Sequence, residues 1–199
     1  WHKLALKLRS KGPRVIAGDF ANYDASLGAD FLWKTFDIVE DFYEESDLAI
    51  RRARLVLWSE VVNSWHINGG VVYMWNQSNP SGCPITSVLN SVVHSVLARY
   101  AYVTAGNTLG RNVTLCDFSR DVIHVNYGDD DVWNIAENSS WCTQKALTDA
   151  FATIGMTYTD ESKTEGHVDF RRLEEISFLK RGFRYDPDAA RWLGPLKLE

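Results

Sequence analysis

The chain has 199 residues, 45% of them apolar and 13% aromatic, with 24% charged. This composition excludes disorder and suffices for one domain, or one domain with an inserted lobe. The net charge of −5 is uneven, with +5 over residues 1–16, −12 over 17–170 and +2 over 171–199. A simple basic nucleic-acid-binding module is thereby disfavoured, and the acidic middle raises the question of which cation it holds.

Val15-Ile16-Ala17-Gly18 is a short apolar run ending in Asp19, which predicts a buried strand with a carboxylate at its C-terminal edge. Asp30 is the expected cap of a helix burying Leu32, Phe36, Val39 and Tyr43. A second helix is expected from Asp47 to Trp65 with Ala53, Leu57 and Val61 inward, followed by a hairpin through Asn68-Gly69. Asn79-Pro80-Ser81-Gly82-Cys83-Pro84 has the composition of a tight loop. It opens a long helix with an apolar face at Ile85, Leu89, Val92, Val96 and Tyr100. Thr86 and Asn90 lie one turn apart on its polar face.

Residues 104–120 are expected to be a loop. Asp121–Asn126 and Val132–Ile135 form the predicted strands of a second hairpin, joined by Tyr127-Gly128-Asp129-Asp130-Asp131. A helix capped by Ser139 or Ser140, with Leu147, Phe151 and Ile154 inward, leads through Gly155 to a strand at Met156–Thr159. A final hairpin spans Ile176–Tyr185. Irregular alternation of strands and helices predicts an α+β domain with an antiparallel sheet.

Three cysteines without C-x-x-C spacing imply reduced thiols, and an intracellular chain is expected. No run is long enough to span a membrane. The chain starts at Trp1 with neither Met nor an apolar leader, so a piece of a longer protein without a signal peptide is expected. The five histidines lack metal spacing and are read as structural or surface groups.

Three successive carboxylates repel one another, so the acidic turn is either freely solvated or neutralised by cations. Apolar flanking strands and the second strand-end acid, Asp19, favour cations. If the two strands are neighbours, Asp19, Asp129 and Asp130 converge as an all-oxygen set suited to Mg²⁺ or Mn²⁺. Asp131 is expected to be a solvated acid at a strand start.

In order and spacing, these motifs resemble the palm of a viral RNA-directed RNA polymerase of the picornavirus-like supergroup, with wording nearest the dicistrovirus and iflavirus type. Asp19-x4-Asp24 resembles motif A, and Ser81-Gly82 with Thr86 and Asn90 resembles motif B. Tyr127-Gly128-Asp129-Asp130 resembles motif C, the stretch Gly155 to Lys163 motif D, and Phe178-Leu179-Lys180-Arg181 motif E. The resemblance implies an RRM-like antiparallel sheet flanked by helices, with an inserted fingers segment. It implies palm at 1–27 and 78–186, fingers at 28–77, and the start of a connection to the thumb at 187–199.

The resemblance also implies two Mg²⁺ or Mn²⁺ ions held by Asp19, Asp129 and Asp130, and Lys163 as the acid that protonates pyrophosphate. Asp24, Ser81, Thr86 and Asn90 are implied to select the ribose, Gly82 to serve the template loop, and Lys180 and Arg181 to grip primer RNA. The implied partners are template and primer RNA, NTPs, N-terminal fingers, a C-terminal thumb and a protein primer, in a replication complex of the host cytoplasm. A fragment lacking fingers and thumb is expected to be inactive alone. The alternatives are a reverse transcriptase-like polymerase, a two-metal nuclease, and a non-catalytic endogenised viral fragment acting as a binding module. Intact acid and ribose positions disfavour the last.

Overall fold

The computed structural model describes residues 1–44, 46–75, 78–80, 82–162 and 168–196. It divides into two compact units, Trp1–Ala21 with His94–Glu199, and Asn22–Val93. Among the described residues, no helix is long and apolar enough to cross a membrane.

In the first unit, α1 (His2–Lys7) leads to β1 (Arg14–Ala21). The hairpin strands are β4 (Val122–Tyr127) and β5 (Asp130–Ile135), and β6 (Thr157–Asp160) completes an antiparallel sheet of order β4-β5-β1-β6. β1 is central. It pairs with β5 from Arg14↔Ile135 to Gly18↔Asp131, and with β6 from Gly18↔Asp160 to Ala21↔Thr157. The expected adjacency of the two acid-bearing strands is therefore present.

Strand alternation assigns the two faces. Val15, Ala17 and Val132 pack with Leu8, Phe178 and Phe183 on one side. On the other side Phe20 meets His94 and Phe151 at ring separations of 5.1 and 4.9 Å. Those two residues belong to α5 (Thr86–Thr108) and α7 (Gln144–Ala152), so helices cover this face. Two small hairpins close the chain: β7 (Ser177–Phe178) with β8 (Arg181–Gly182), and β9 (Arg184–Asp186) with β10 (Arg191–Leu193).

The second unit holds α2 (Tyr23–Ser26), α3 (Ala29–Tyr43), α4 (Leu48–Val62), the hairpin β2 (Trp65–Asn68) and β3 (Val71–Met74), and the first two turns of α5. Asp47 caps α4 by accepting from the Ala49 amide at 2.8 Å.

Several expectations are corrected. Gly28, not Asp30, caps α3, and Tyr43 is exposed. The buried face of α4 is one position over from the expected one. Trp58 and Val62 are inside and Leu57 is outside, because the large indole takes the interior and donates to the Leu32 carbonyl at 3.1 Å. On α5 the buried stripe is Leu89, Val93, Leu97, Ala101 and Ala105, accompanied by Asn90, His94, Ala98 and Tyr102. Counting aliphatics alone missed it, since the helix approaches the sheet through small and polar side chains.

Residues 104–120 are mostly helical rather than a loop. α5 continues to Thr108, and α6 (Leu115–Asp121) starts at a reciprocal Thr114/Asp117 capping box. Thr143 rather than Ser139 or Ser140 caps α7.

Candidate active site

The acidic site lies in the first unit, where strand parity sorts three consecutive carboxylates. Asp130 shares the face of Val132, and Asp131 the opposite face with Trp133. Asp129 is exposed at the turn made possible by Gly128 at φ 63°. Asp19 and Asp130 line one cleft of about 210 Å³ together with Glu161, Phe178 and Lys180. Burial, reinforced by the negative charges of Asp129, Asp19 and Asp131, raises the Asp130 carboxyl above its ordinary range. Lys180 opposes that rise.

Lys180 reaches the cleft from the two-residue loop of the β7–β8 hairpin. Leu179 and Lys180 both have positive φ, 52° and 59°, which is the geometry of a type I′ turn. Neither residue is of the kind that adopts this backbone freely, so the strained turn is held by its surroundings. Arg181 is turned elsewhere, donating to the Gly194 carbonyl at 2.7 Å.

Asp131 corrects the expectation of a solvated strand-start acid. It is 1% exposed, and five donors reach its carboxylate. The Gly18 amide (3.1 Å) and the Tyr158 hydroxyl (2.9 Å) meet Oδ1. The Trp133 indole (2.6 Å), His94 Nε2 (3.0 Å) and His124 Nε2 (3.4 Å) meet Oδ2. Burial alone would raise this carboxyl, but the hydrogen bonds and charges of His124 and His94 hold it below the usual carboxylate range. Burial lowers His124 from its ordinary value, and its hydrogen bond to Asp131 opposes that shift. The Nδ1 of His94 faces the Gly128 carbonyl at 3.0 Å. Both groups that face the two nitrogens of His94, the Gly128 carbonyl and the Asp131 carboxylate, are hydrogen-bond acceptors.

In the second unit, Asn90 Nδ2 donates to Asp24 Oδ1 at 2.6 Å, and Asn79 Nδ2 donates to Asn90 Oδ1 at 2.7 Å. The Tyr23 hydroxyl holds the Asn90 carbonyl at 3.2 Å. The Thr86 hydroxyl donates to the Pro80 carbonyl at 2.9 Å, bracing the loop that precedes the helix. Gly82 in that loop has φ 92°. A carboxylate and an amide from distant parts of the sequence are thus joined at one point.

A family model for viral RNA-dependent RNA polymerase matches residues 1–199, the whole chain. The chain belongs to the viral RNA-dependent RNA polymerase family. It is 40% identical to the replicase polyprotein of acute bee paralysis virus (strain Rothamsted) and 37% identical to that of Drosophila C virus (strain EB), each over its full length. Those alignments cover 11% and 12% of the relatives, so the chain spans about a tenth of their length. A solved Sicinivirus 3Dpol RNA-dependent RNA polymerase superposes with a TM-score of 0.77 at 17% identity, covering 99% of this chain and 39% of that one. The polymerase fold expected from the motifs is therefore present, and the insect-virus relatives agree with their dicistrovirus- and iflavirus-like wording.

Of the residues singled out in this polymerase chain, the structure gathers Asp19, Asp129, Asp130 and Lys180 in the first unit, and Asp24, Asn90 and Thr86 in the second. Ser81 and Lys163 lie outside the described residues. Sequence reasoning missed Asn79, fully buried beside Asn90, and the roles of Asp131, His94 and His124. The alternation that buries Val132 and Trp133 on opposite faces was the available signal for Asp131. No sequence spacing announces the histidines, whose ligand-type atoms lie with that of Asp131 within 4.8 Å of one another.

Proposed function

We propose that the polymerase containing this chain copies an RNA template in viral genome replication. It transfers the nucleoside monophosphate of an NTP to an RNA 3′-end and releases pyrophosphate. The observation that carries this reading is the shared cleft of Asp19 and Asp130, in which burial, reinforced by the charges of Asp129 and Asp19, raises the Asp130 carboxyl. An all-oxygen donor set under such repulsion fits hard divalent cations, Mg²⁺ or Mn²⁺, and Asp19, Asp129 and Asp130 would hold two of them. When bound, these ions supply activation of the 3′-hydroxyl and neutralisation of charge on the leaving pyrophosphate.

The chain's own groups do the rest. β1 is paired on both sides, so Asp19 is carried by an inner strand of the sheet. Lys180 brings positive charge to the cleft and fits a contact to primer phosphates, while Arg181, outside the cleft and exposed, is proposed to grip the primer beside it. Asp24 and Asn90 offer an acceptor and a donor that suit a 2′-hydroxyl, which both donates and accepts. Thr86 and Ser81 support them in selecting the ribose, and Gly82 serves the template loop. Lys163 is the proposed proton donor to pyrophosphate. Palm at 1–27 and 78–186, fingers at 28–77 and a thumb connection at 187–199 complete the reading. The further partners are NTPs, the remaining fingers and thumb, and a protein primer, in a replication complex of the host cytoplasm. The isolated chain is expected to extend primers poorly.

Anomalous diffraction from polymerase crystals soaked in Mn²⁺ tests the site. Peaks at Asp19, Asp129 and Asp130 are expected, and Mn²⁺ bound only elsewhere contradicts the assignment. For the ribose pair, Asp24→Ala should reduce the preference for ribo- over deoxynucleotides by about 10–100-fold, the scale of losing a hydrogen bond that distinguishes two substrates. Undiminished preference in steady-state incorporation would remove Asp24 from that role.

A further inference from the structure

Beneath the acidic cleft, on the helix-covered face of the sheet, Asp131, His94 and His124 form a buried cluster that the reaction as proposed leaves unused. We infer that His94 is a positioning residue that sets the place of Asp129 relative to Asp19. The inference rests on the polymerase reading above and deepens it.

The Gly128 carbonyl belongs to the peptide plane whose nitrogen is that of Asp129. His94 Nδ1 holds that carbonyl at 3.0 Å and so fixes the plane from which Asp129 departs. The Gly18 amide, one residue before Asp19, donates to Asp131 at 3.1 Å. His94 Nε2 holds the same carboxylate at 3.0 Å. A continuous path, Gly18 to Asp131 to His94 to Gly128, therefore links the backbone beside Asp19 to the backbone beside Asp129. Tyr158, Trp133 and His124 anchor its centre from β6, β5 and β4. Gly128 sits at φ 63°, in a turn that strand pairing alone does not hold at its tip.

The cluster also has the composition of a transition-metal site. Here, though, each imidazole aims Nε2 at the carboxylate at hydrogen-bond distance, and Oδ2 already accepts from the Trp133 indole. Those atoms are engaged with one another, which favours the brace.

The test uses the full-length polymerase in single-turnover primer extension, comparing wild type with His94→Leu, His94→Gln and Asp129→Ala. Displacing a reacting group by about 1 Å costs about 100-fold, so His94→Leu should lower kcat by about 10–100-fold with NTP KM changed by less than about 3-fold. The Mg²⁺ concentration for half-maximal rate should rise several-fold. Glutamine keeps one donor and should restore part of both losses. A purely structural residue would reduce the fraction of active enzyme and leave the Mg²⁺ dependence of the survivors unchanged. Should the leucine variant fail to fold, His94→Gln alone decides, and a wild-type Mg²⁺ dependence there overturns the inference. So does a folded His94→Leu with wild-type kcat, or one stoichiometric metal ion lost on mutating His94. If wild type incorporates no nucleotide, or Asp129→Ala is as active as wild type, the polymerase reading itself fails.

Discussion

Tyr158 lies across Gly18 so closely that a Cβ there would stand 2.0 Å from its ring. The approach lets the phenol reach Asp131 while the Gly18 amide reaches the same oxygen. Gly18→Ala is therefore predicted to destabilise the fold by about 3 kcal/mol or more, because the fully buried ring has no room to yield. Chemical denaturation of wild type and variant measures this, and a loss below about 1 kcal/mol would show that the ring moves freely.

At this scale the meeting of Asp19 and Asp130 was legible in the sequence, since each acid ends or begins an apolar strand and the two strands are neighbours. Asp131 was not, although the period of two places it opposite Asp130. The imidazole and hydroxyl that meet it come from α5 and β6, remote in sequence. Burying a carboxylate is affordable only with such partners, and these become visible only in three dimensions.

Among the elements, the junction of α6 with β4 shows how an ion pair fixes a chain reversal. Arg120 grips Asp121 through two hydrogen bonds of 2.9 and 2.7 Å, and the Ser139 hydroxyl adds a third at 3.2 Å. The Arg120 hydrogen bond, against the opposing effect of burial, lowers the Asp121 carboxyl below its ordinary value of 3.8. A lowered folded-state value means that the stabilisation is complete above the unfolded pKa and is lost as pH falls through the folded one. Asp121→Asn is predicted to cost about 1–2 kcal/mol at pH 7, a modest figure because Arg120 is largely exposed and screened. The deficit should shrink as pH drops below 3.8. Urea titrations at pH 7 and pH 3 check it, and an equal deficit at both would assign the loss to packing.

Element existence was legible wherever apolar periodicity was strong, as in β1, the β4–β5 hairpin and the core of α5. Helix faces were less so. α5 turns Ala98, Ala101 and Ala105 inward, and hydropathy ranks these below the exposed Val88 and half-exposed Ile85. The helical continuation through 104–108 and the capping box at Thr114 were hidden by polar residues that read equally well as loop.

For the whole molecule, net charge is a poor guide to partners. Part of the negative middle is the carboxylate set at the cleft, and its repulsion is what gives a cation something to relieve. The chain spans 39% of the solved polymerase it superposes on, so its net charge describes only part of such an enzyme. Under the proposed function Asp129 would help to hold the metal needed for nucleotidyl transfer, while its neighbour Asp131 is buried among five donors. Incorporation of labelled ribonucleotide by the full-length polymerase, wild type against Asp129→Ala, tests it most directly. The account predicts a loss of at least about 1,000-fold in rate, on the order of 4 kcal/mol of transition-state stabilisation. A variant within about tenfold of wild type would contradict it.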